Sequence, residues 1–97
     1  MSLKHATLDF SGCQSLHELH TRIKEALHFP AYYGMNLDAF WDLLWSECDA
    51  DKVIIRGEHT LTSEFYEYRV KLHEILERNI AFRGENKLNP FSYEIID

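Results

Sequence analysis

Three consecutive aliphatic residues, Val53, Ile54 and Ile55, stand between Lys52 and Arg56, and no other stretch limits the possible folds as strongly. A short apolar run between polar ends reads as a strand covered on both faces, as in a parallel sheet. Parallel strands are joined by long crossovers, usually helical, and the flanks offer them. His5–Phe10 alternates, with Ala6, Leu8 and Phe10 on one side, and is a candidate first strand. Ser15 precedes Glu18 by three, a capping-box signature. Leu16, Leu19, Ile23, Ala26 and Leu27 then follow at helical spacing, and Pro30 closes that helix. Asn36 is a good N-cap for a second helix, with Leu37, Phe40, Trp41, Leu44 and Cys48 on its buried side. Ser63 caps a long third helix, whose Phe65, Tyr68, Leu72, Ile75, Leu76 and Asn79 share one stripe. Arg83–Pro90 is rich in turn formers. Phe91–Ile96 is a final strand, with Phe91, Tyr93 and Ile95 on one face. The order strand, helix, helix, strand, helix, strand implies one α/β domain over residues 1–97, with a three-stranded parallel sheet. Three strands are few, so the helices are expected mainly on one face.

The chain has 97 residues, 45% of them hydrophobic and 27% charged, as in an ordinary globular domain. No apolar run approaches the roughly 18 to 20 residues of a membrane span. The opening residues, MSLKHATLDF, show no long apolar block or small-residue cleavage site, so no signal peptide is read there. Cys13 and Cys48 match no metal or redox spacing, and reduced thiols in a cytoplasm are expected.

The net charge of −6 is concentrated. Glu25, Asp38, Asp42, Glu47, Asp49 and Asp51 fall in one block of 27 residues without Lys or Arg, while the other acids and bases cancel at ten each. Such a block repels nucleic acid and attracts a basic partner. It also serves solubility alone.

An enzyme needs a nucleophile, a base or a metal site. His17 and His20, three apart, are the best metal candidates, but they fall on the polar side of the first helix with no third ligand, as solvated histidines do. Neither Ser11–Cys13 nor Arg83–Pro90 resembles a glycine-rich nucleotide loop. No metal, cofactor or catalytic group is therefore expected.

The segment PAYYGMNLDAFWD, Pro30–Asp42, is different. At 100° per residue, Asp38, Ala39, Asp42 and Ser46 share a polar face opposite Leu37, Phe40 and Leu44, with Trp45 at its rim. Asp38, in the first turn, complements the helix dipole. Asp42 has no such reason: aspartate is a poor helix-interior residue, and a like charge four away costs about 0.2–0.5 kcal/mol. Gly34 is expected to supply a turn conformation that a side chain would resist. Tyr32 and Tyr33 either both cover neighbouring helix ends, or one is held outward as a rigid anchor with a hydroxyl for a partner. Together these residues favour a binding surface.

PAYYGMNLDAFWDLL resembles the signature of the barstar family, intracellular inhibitors of barnase-type ribonucleases, and matches every fixed position of Pro-x-Tyr-Tyr-Gly-x-Asn-Leu-Asp-Ala-(Leu/Phe)-Trp-Asp. The resemblance extends more loosely along the whole chain. It implies a three-stranded parallel sheet and a non-enzymatic, monomeric, cytoplasmic bacterial immunity protein. Its partner would be a barnase-like ribonuclease or another small basic nuclease or toxin. In the implied mode the acidic helix and preceding loop plug the basic active-site cleft. Asp42 takes the place of a substrate phosphate, Asp38 makes a flanking charged contact, and Tyr32 packs on a catalytic histidine. Tyr33, Gly34, Asn36, Ala39 and Trp41 belong to the matched patch, with Trp41 between core and contact. The family's long-helix glutamate is placed ambiguously: Glu77 is nearest, Glu74 next, and Arg78 intervenes. Trp45 stands where the family's archetype has a small polar residue, which leaves open an acidic interaction module with a different basic partner.

Overall fold

Val53 and Ile55 are completely buried in the central strand of a three-stranded parallel sheet, in the order β1-β2-β3. The strands are β1 (His5–Asp9), β2 (Lys52–Arg56) and β3 (Ser92–Ile96). The structure is a computed structural model that describes residues 4–96; Met1–Leu3, part of the opening stretch read for a leader, and Asp97 lie outside the described residues. Ala6 pairs with Val53 and Leu8 with Ile55, while Val53 faces Tyr93 and Ile55 faces Ile95, so one register carries the apolar positions of all three strands to one face. The helices cover that face. On the other face Lys52 pairs with Glu94 at 3.1 Å, and Ile54 is only half-buried. The expectation of a strand covered on both faces is therefore corrected: the layer architecture is sheet and helices, with one face open. Ile95, expected with Phe91 and Tyr93, is 42% exposed at the far end of an edge strand.

Helix α1 (Leu16–Ala26) starts where expected: Ser15 Oγ accepts the Glu18 N–H at 3.1 Å. The reciprocal bond of the capping box goes one residue further back, from the Gln14 N–H to Glu18 Oε2 at 3.4 Å. The helix stops before Pro30, and His28 takes a left-handed φ of 56° just beyond it. Helix α2 (Leu37–Ser46) begins with Asn36 Oδ1 accepting the Ala39 N–H at 2.8 Å, and buries Phe40, Leu43 and Leu44. Removing a cap of this kind costs about 1 kcal/mol.

The third helix, α3 (Tyr66–Glu85), differs from expectation at both ends. Ser63 opens a 3-10 turn, Ser63–Phe65, and makes no side-chain cap. The C-terminal end runs on through Arg83 because that side chain is held inside: its guanidinium donates to the Cys48 carbonyl at 3.1 Å and lies over the Phe91 ring. The stripe Leu72, Ile75, Leu76 and Asn79 is buried as predicted. Cys13 and Cys48 are buried free thiols, and burial pushes the pKa of each up. No helix among the described residues is long and apolar enough to cross a membrane.

Candidate functional site

The loop between α1 and α2 treats its two tyrosines in opposite ways. Tyr32 is 73% exposed and Tyr33 5% exposed. Tyr33 packs 5.1 Å from Phe29, and its hydroxyl meets Nδ1 of His20 at 2.6 Å. The other nitrogen of His20 bonds the hydroxyl of Tyr68 on α3. A neutral imidazole has one N–H and one lone pair, so one tyrosine accepts from His20 and the other donates to it. Burial holds the imidazole's pKa down, at about 4, and pushes Tyr68 up to about 12 and Tyr33 higher still. His20 is thus a fully buried core residue, which corrects the reading of a solvated histidine. It lies one residue from Leu19 and three from Ile23, on the apolar side of α1. His17 is exposed, and no group of three or more His, Cys, Asp or Glu among the described residues is placed to hold a metal ion. Tyr33 belongs to the interior, where it ties the loop to α1 and, through His20, to Tyr68 of α3, while Tyr32 is exposed.

Gly34 is not the residue in the left-handed conformation; Met35, at φ 57°, takes that role. What favours glycine is contact, because a Cβ at position 34 would lie 3.2 Å from Ala39 Cβ, closer than ordinary van der Waals contact. Gly34 and Ala39 therefore let the loop lie against the first turn of α2, and Asn36 Nδ2 donates to the Gly34 carbonyl at 3.2 Å.

On the outer face of α2, Asp38 and Asp42 are exposed, and neither carboxylate has a hydrogen-bond or ion-pair partner among the described residues. The Ser46 hydroxyl bonds back to the carbonyl of Asp42, not to its carboxylate. Trp45 is 45% exposed and packs its ring 5.5 Å from Phe82 of α3. Trp41 is half-buried and meets the same phenyl edge-on at 5.9 Å. Asp38, Asp42 and Trp45 thus share the outer face of α2, whose opposite face is locked into the core, and Tyr32 is exposed on the loop that leads into that helix.

The rest of the acidic block is arranged otherwise. Asp49 accepts a 2.7 Å bond from Lys4 Nζ, and that bond lowers its pKa. Asp51 faces the Lys4 N–H at 3.3 Å and Arg83 at 4.0 Å.

Two side chains of α3 reach the patch from a direction the sequence pattern concealed. Phe82 lies under both tryptophans, and Arg78 holds its guanidinium 5.0 Å over the Trp41 ring. The signal was their spacing: they are four apart, hence on one flank of the helix, off the Leu72–Ile75–Leu76–Asn79 stripe. Glu77 lies on the other flank. There, after burial, its carboxylate and that of Glu58 push the Tyr93 hydroxyl's pKa up. The structure therefore does not bring Glu77 to the patch. Glu74, one turn before Arg78, shares Arg78's flank.

The described geometry agrees with two comparisons. A Bacillus subtilis (strain 168) protein described as "Putative ribonuclease inhibitor YrdF" is 30% identical over 63 residues, covering 65% of this chain and 69% of that protein. The family model described as "Barstar (barnase inhibitor)" matches residues 3–94. A match of that extent takes in β1, β2, all three α-helices and the first residues of β3 together with the Tyr32–Asp42 segment, and the chain belongs to the barstar family.

Proposed function

We propose that this protein is a non-enzymatic inhibitor of a small basic ribonuclease, plugging the nuclease's cleft with the outer face of α2 and the loop before it. Family membership and the printed description of the Bacillus subtilis relative support a ribonuclease-inhibitor role. One observation carries the mechanism: Asp38 and Asp42 are exposed on a rigid helix and have no internal partner, beside an outward Tyr32. In the proposed complex Asp42 occupies the place of a substrate phosphate among the nuclease's cations. Asp38 flanks it, Tyr32 covers a catalytic ring, and Trp45 closes the rim against water. The field of the exposed carboxylates speeds encounter with a basic partner at low salt. A hydrolytic role for the two aspartates is disfavoured, since carboxylates four apart on one exposed face lack the separate environments that set acid and base roles. The working compartment is the cytoplasm, where the buried thiols stay reduced, and the acting species is a monomer.

A second reading is an acidic module of the same fold that binds a different basic protein. The large exposed Trp45 and the cation Arg78 over the neighbouring Trp41 favour a changed target. Titration against barnase, with RNA cleavage as readout, tests the first reading. Stoichiometric loss of cleavage, relieved by Asp42→Ala, is the expected result. Unaltered cleavage by barnase and by the host's own small basic ribonucleases, at excess protein, would favour the second.

A further inference from the structure

Arg78 belongs to the α2 face although its residue lies on α3. Its guanidinium sits 5.0 Å over the ring of Trp41, which adjoins Asp42 and lies one helical turn from both Asp38 and Trp45. The side chain is exposed, and no ion pair holds it among the described residues. Neither Glu74 nor Glu77, both within one turn, engages it. The ring orders the cation without neutralising it, as cation–π contacts at exposed sites do. Beside the two negative charges of the outer α2 face there is therefore one positive charge, held over Trp41, and not the uniformly acidic surface suggested by the charge block.

We infer that Arg78 selects the partner: the ribonuclease that fits this face presents cations to Asp38 and Asp42 and a carboxylate side chain to Arg78. This rests on the proposed plug mode and goes beyond it by stating the charge pattern of the cleft. A cleft that is cationic throughout sets a like charge against Arg78, and like-charge juxtaposition in an interface both weakens binding and excludes wrong partners. A carboxylate opposite converts the same cation into a charge-assisted pair, for which the planar guanidinium is well suited.

Barnase, whose cleft the family resemblance describes as basic, is the probe. Its association and dissociation rates are measured with the wild-type chain, Arg78→Glu, Arg78→Gln, and Asp42→Ala in both the wild-type and Arg78→Glu backgrounds. Urea midpoints confirm that each variant is folded. Arg78→Glu is expected to bind barnase tighter by on the order of tenfold to a hundredfold, with a gain that shrinks at high salt. Arg78→Gln, which keeps a planar group over Trp41, falls between. Equal or weaker binding by Arg78→Glu, with Asp42→Ala still damaging, overturns the inference and leaves the plug mode standing. Binding by Arg78→Glu that is indifferent to Asp42→Ala removes the plug mode itself. Failure of all five chains to bind barnase also overturns the inference, since removing the cation would then not have restored the fit.

Discussion

Glu58 and Asp42 are acids of one small domain with opposite environments. Glu58, 1% exposed in the turn after β2, has both oxygens taken: Oε1 accepts from Arg69 Nε at 2.8 Å, and Oε2 meets His73 Nε2 at 2.9 Å. Those bonds fasten the end of the sheet to α3. The neighbouring Gly57 shows how tight that end is, because a Cβ there would lie 2.7 Å from the backbone nitrogen of Ser11, and its φ is 72°. Asp42 is exposed and has neither oxygen engaged among the described residues. A buried carboxylate with two donors belongs to the fold, and its loss strands other charges. An exposed one with none, set against helix propensity and a like charge, contributes nothing to folding and is available to a partner.

The two sites should therefore fail in opposite assays. Asp42→Ala should weaken ribonuclease binding by about 2–5 kcal/mol or more, mainly through faster dissociation, a range for which barnase with barstar is itself the reference case. The same change should leave the urea midpoint unchanged or slightly raised. Glu58→Ala should destabilise the domain by about 2–4 kcal/mol, less than a fully enclosed pair would, because Arg69 and His73 retain some contact with water. Binding by the folded fraction should persist. A large stability loss from Asp42→Ala, or a neutral Glu58→Ala, would erase the distinction.

The buried His20 between Tyr33 and Tyr68 sharpens the comparison through pH. Burial lowers its folded-state pKa from 6.5 to about 4. Between those values the unfolded chain binds the proton and the native one does not, so stability falls as pH drops through this window and is fully present above it. From pH 8 to pH 4.5 the loss due to His20 should be about 2–3 kcal/mol. Carboxylates titrate in the lower part of the same range, so the informative quantity is the wild-type curve minus that of His20→Gln. A flat difference would contradict the buried, neutral imidazole.

The adjacent tyrosines give a smaller contrast. Tyr33→Phe removes one partner of His20 and should cost about 1–3 kcal/mol of stability. Tyr32→Ala should change stability by no more than about 0.5 kcal/mol, as exposed substitutions usually do, while weakening ribonuclease binding. Equal stability losses would mean that Tyr32 also supports the fold.

Much of this arrangement was legible in the sequence, because it rests on local chemistry. Ser15 and Asn36 cap their helices through bonds to residues three ahead, and the alternation in His5–Phe10 fixes which face is buried. The exposed, shared face of Asp38 and Asp42 follows from helical phase alone. What escaped depends on contacts distant in sequence. His20 counts as polar in any periodicity, and only Tyr68, 48 residues away, together with Tyr33 makes its burial tolerable. The glycine at position 34 was expected to relieve backbone strain, whereas it relieves a contact with Ala39. Over the 20 residues of α3, which flank meets α2 is set by tertiary packing, so Arg78 and not Glu77 lies over Trp41.

The smallest expected effect lies at the far end of the acidic block. By sequence, Asp49 and Asp51 lie in the same acidic block as Asp42 but beyond the matched helix, as rim charges that steer a partner rather than hold it. In the fold Asp49 is bound to Lys4, and Asp51 stands between the Lys4 backbone and Arg83, so each negative charge is largely cancelled close to where it sits. A neutralised pair acts on an approaching protein as a short dipole, whose field falls off faster than that of a single charge and is screened within about 8–10 Å at ordinary ionic strength. Asp49→Ala should accordingly leave dissociation unchanged. Because it frees Lys4 as a net cation, it should slow association with a basic ribonuclease by only about twofold at low salt, with the effect fading as salt is added. Stopped-flow rates for Asp49→Ala, Lys4→Ala and the double variant separate the two contributions, and the double variant should associate at close to the wild-type rate. If Asp49→Ala instead slowed association as strongly as Asp42→Ala, the block would act as one diffuse field, and the division between bound and available carboxylates would not govern recognition.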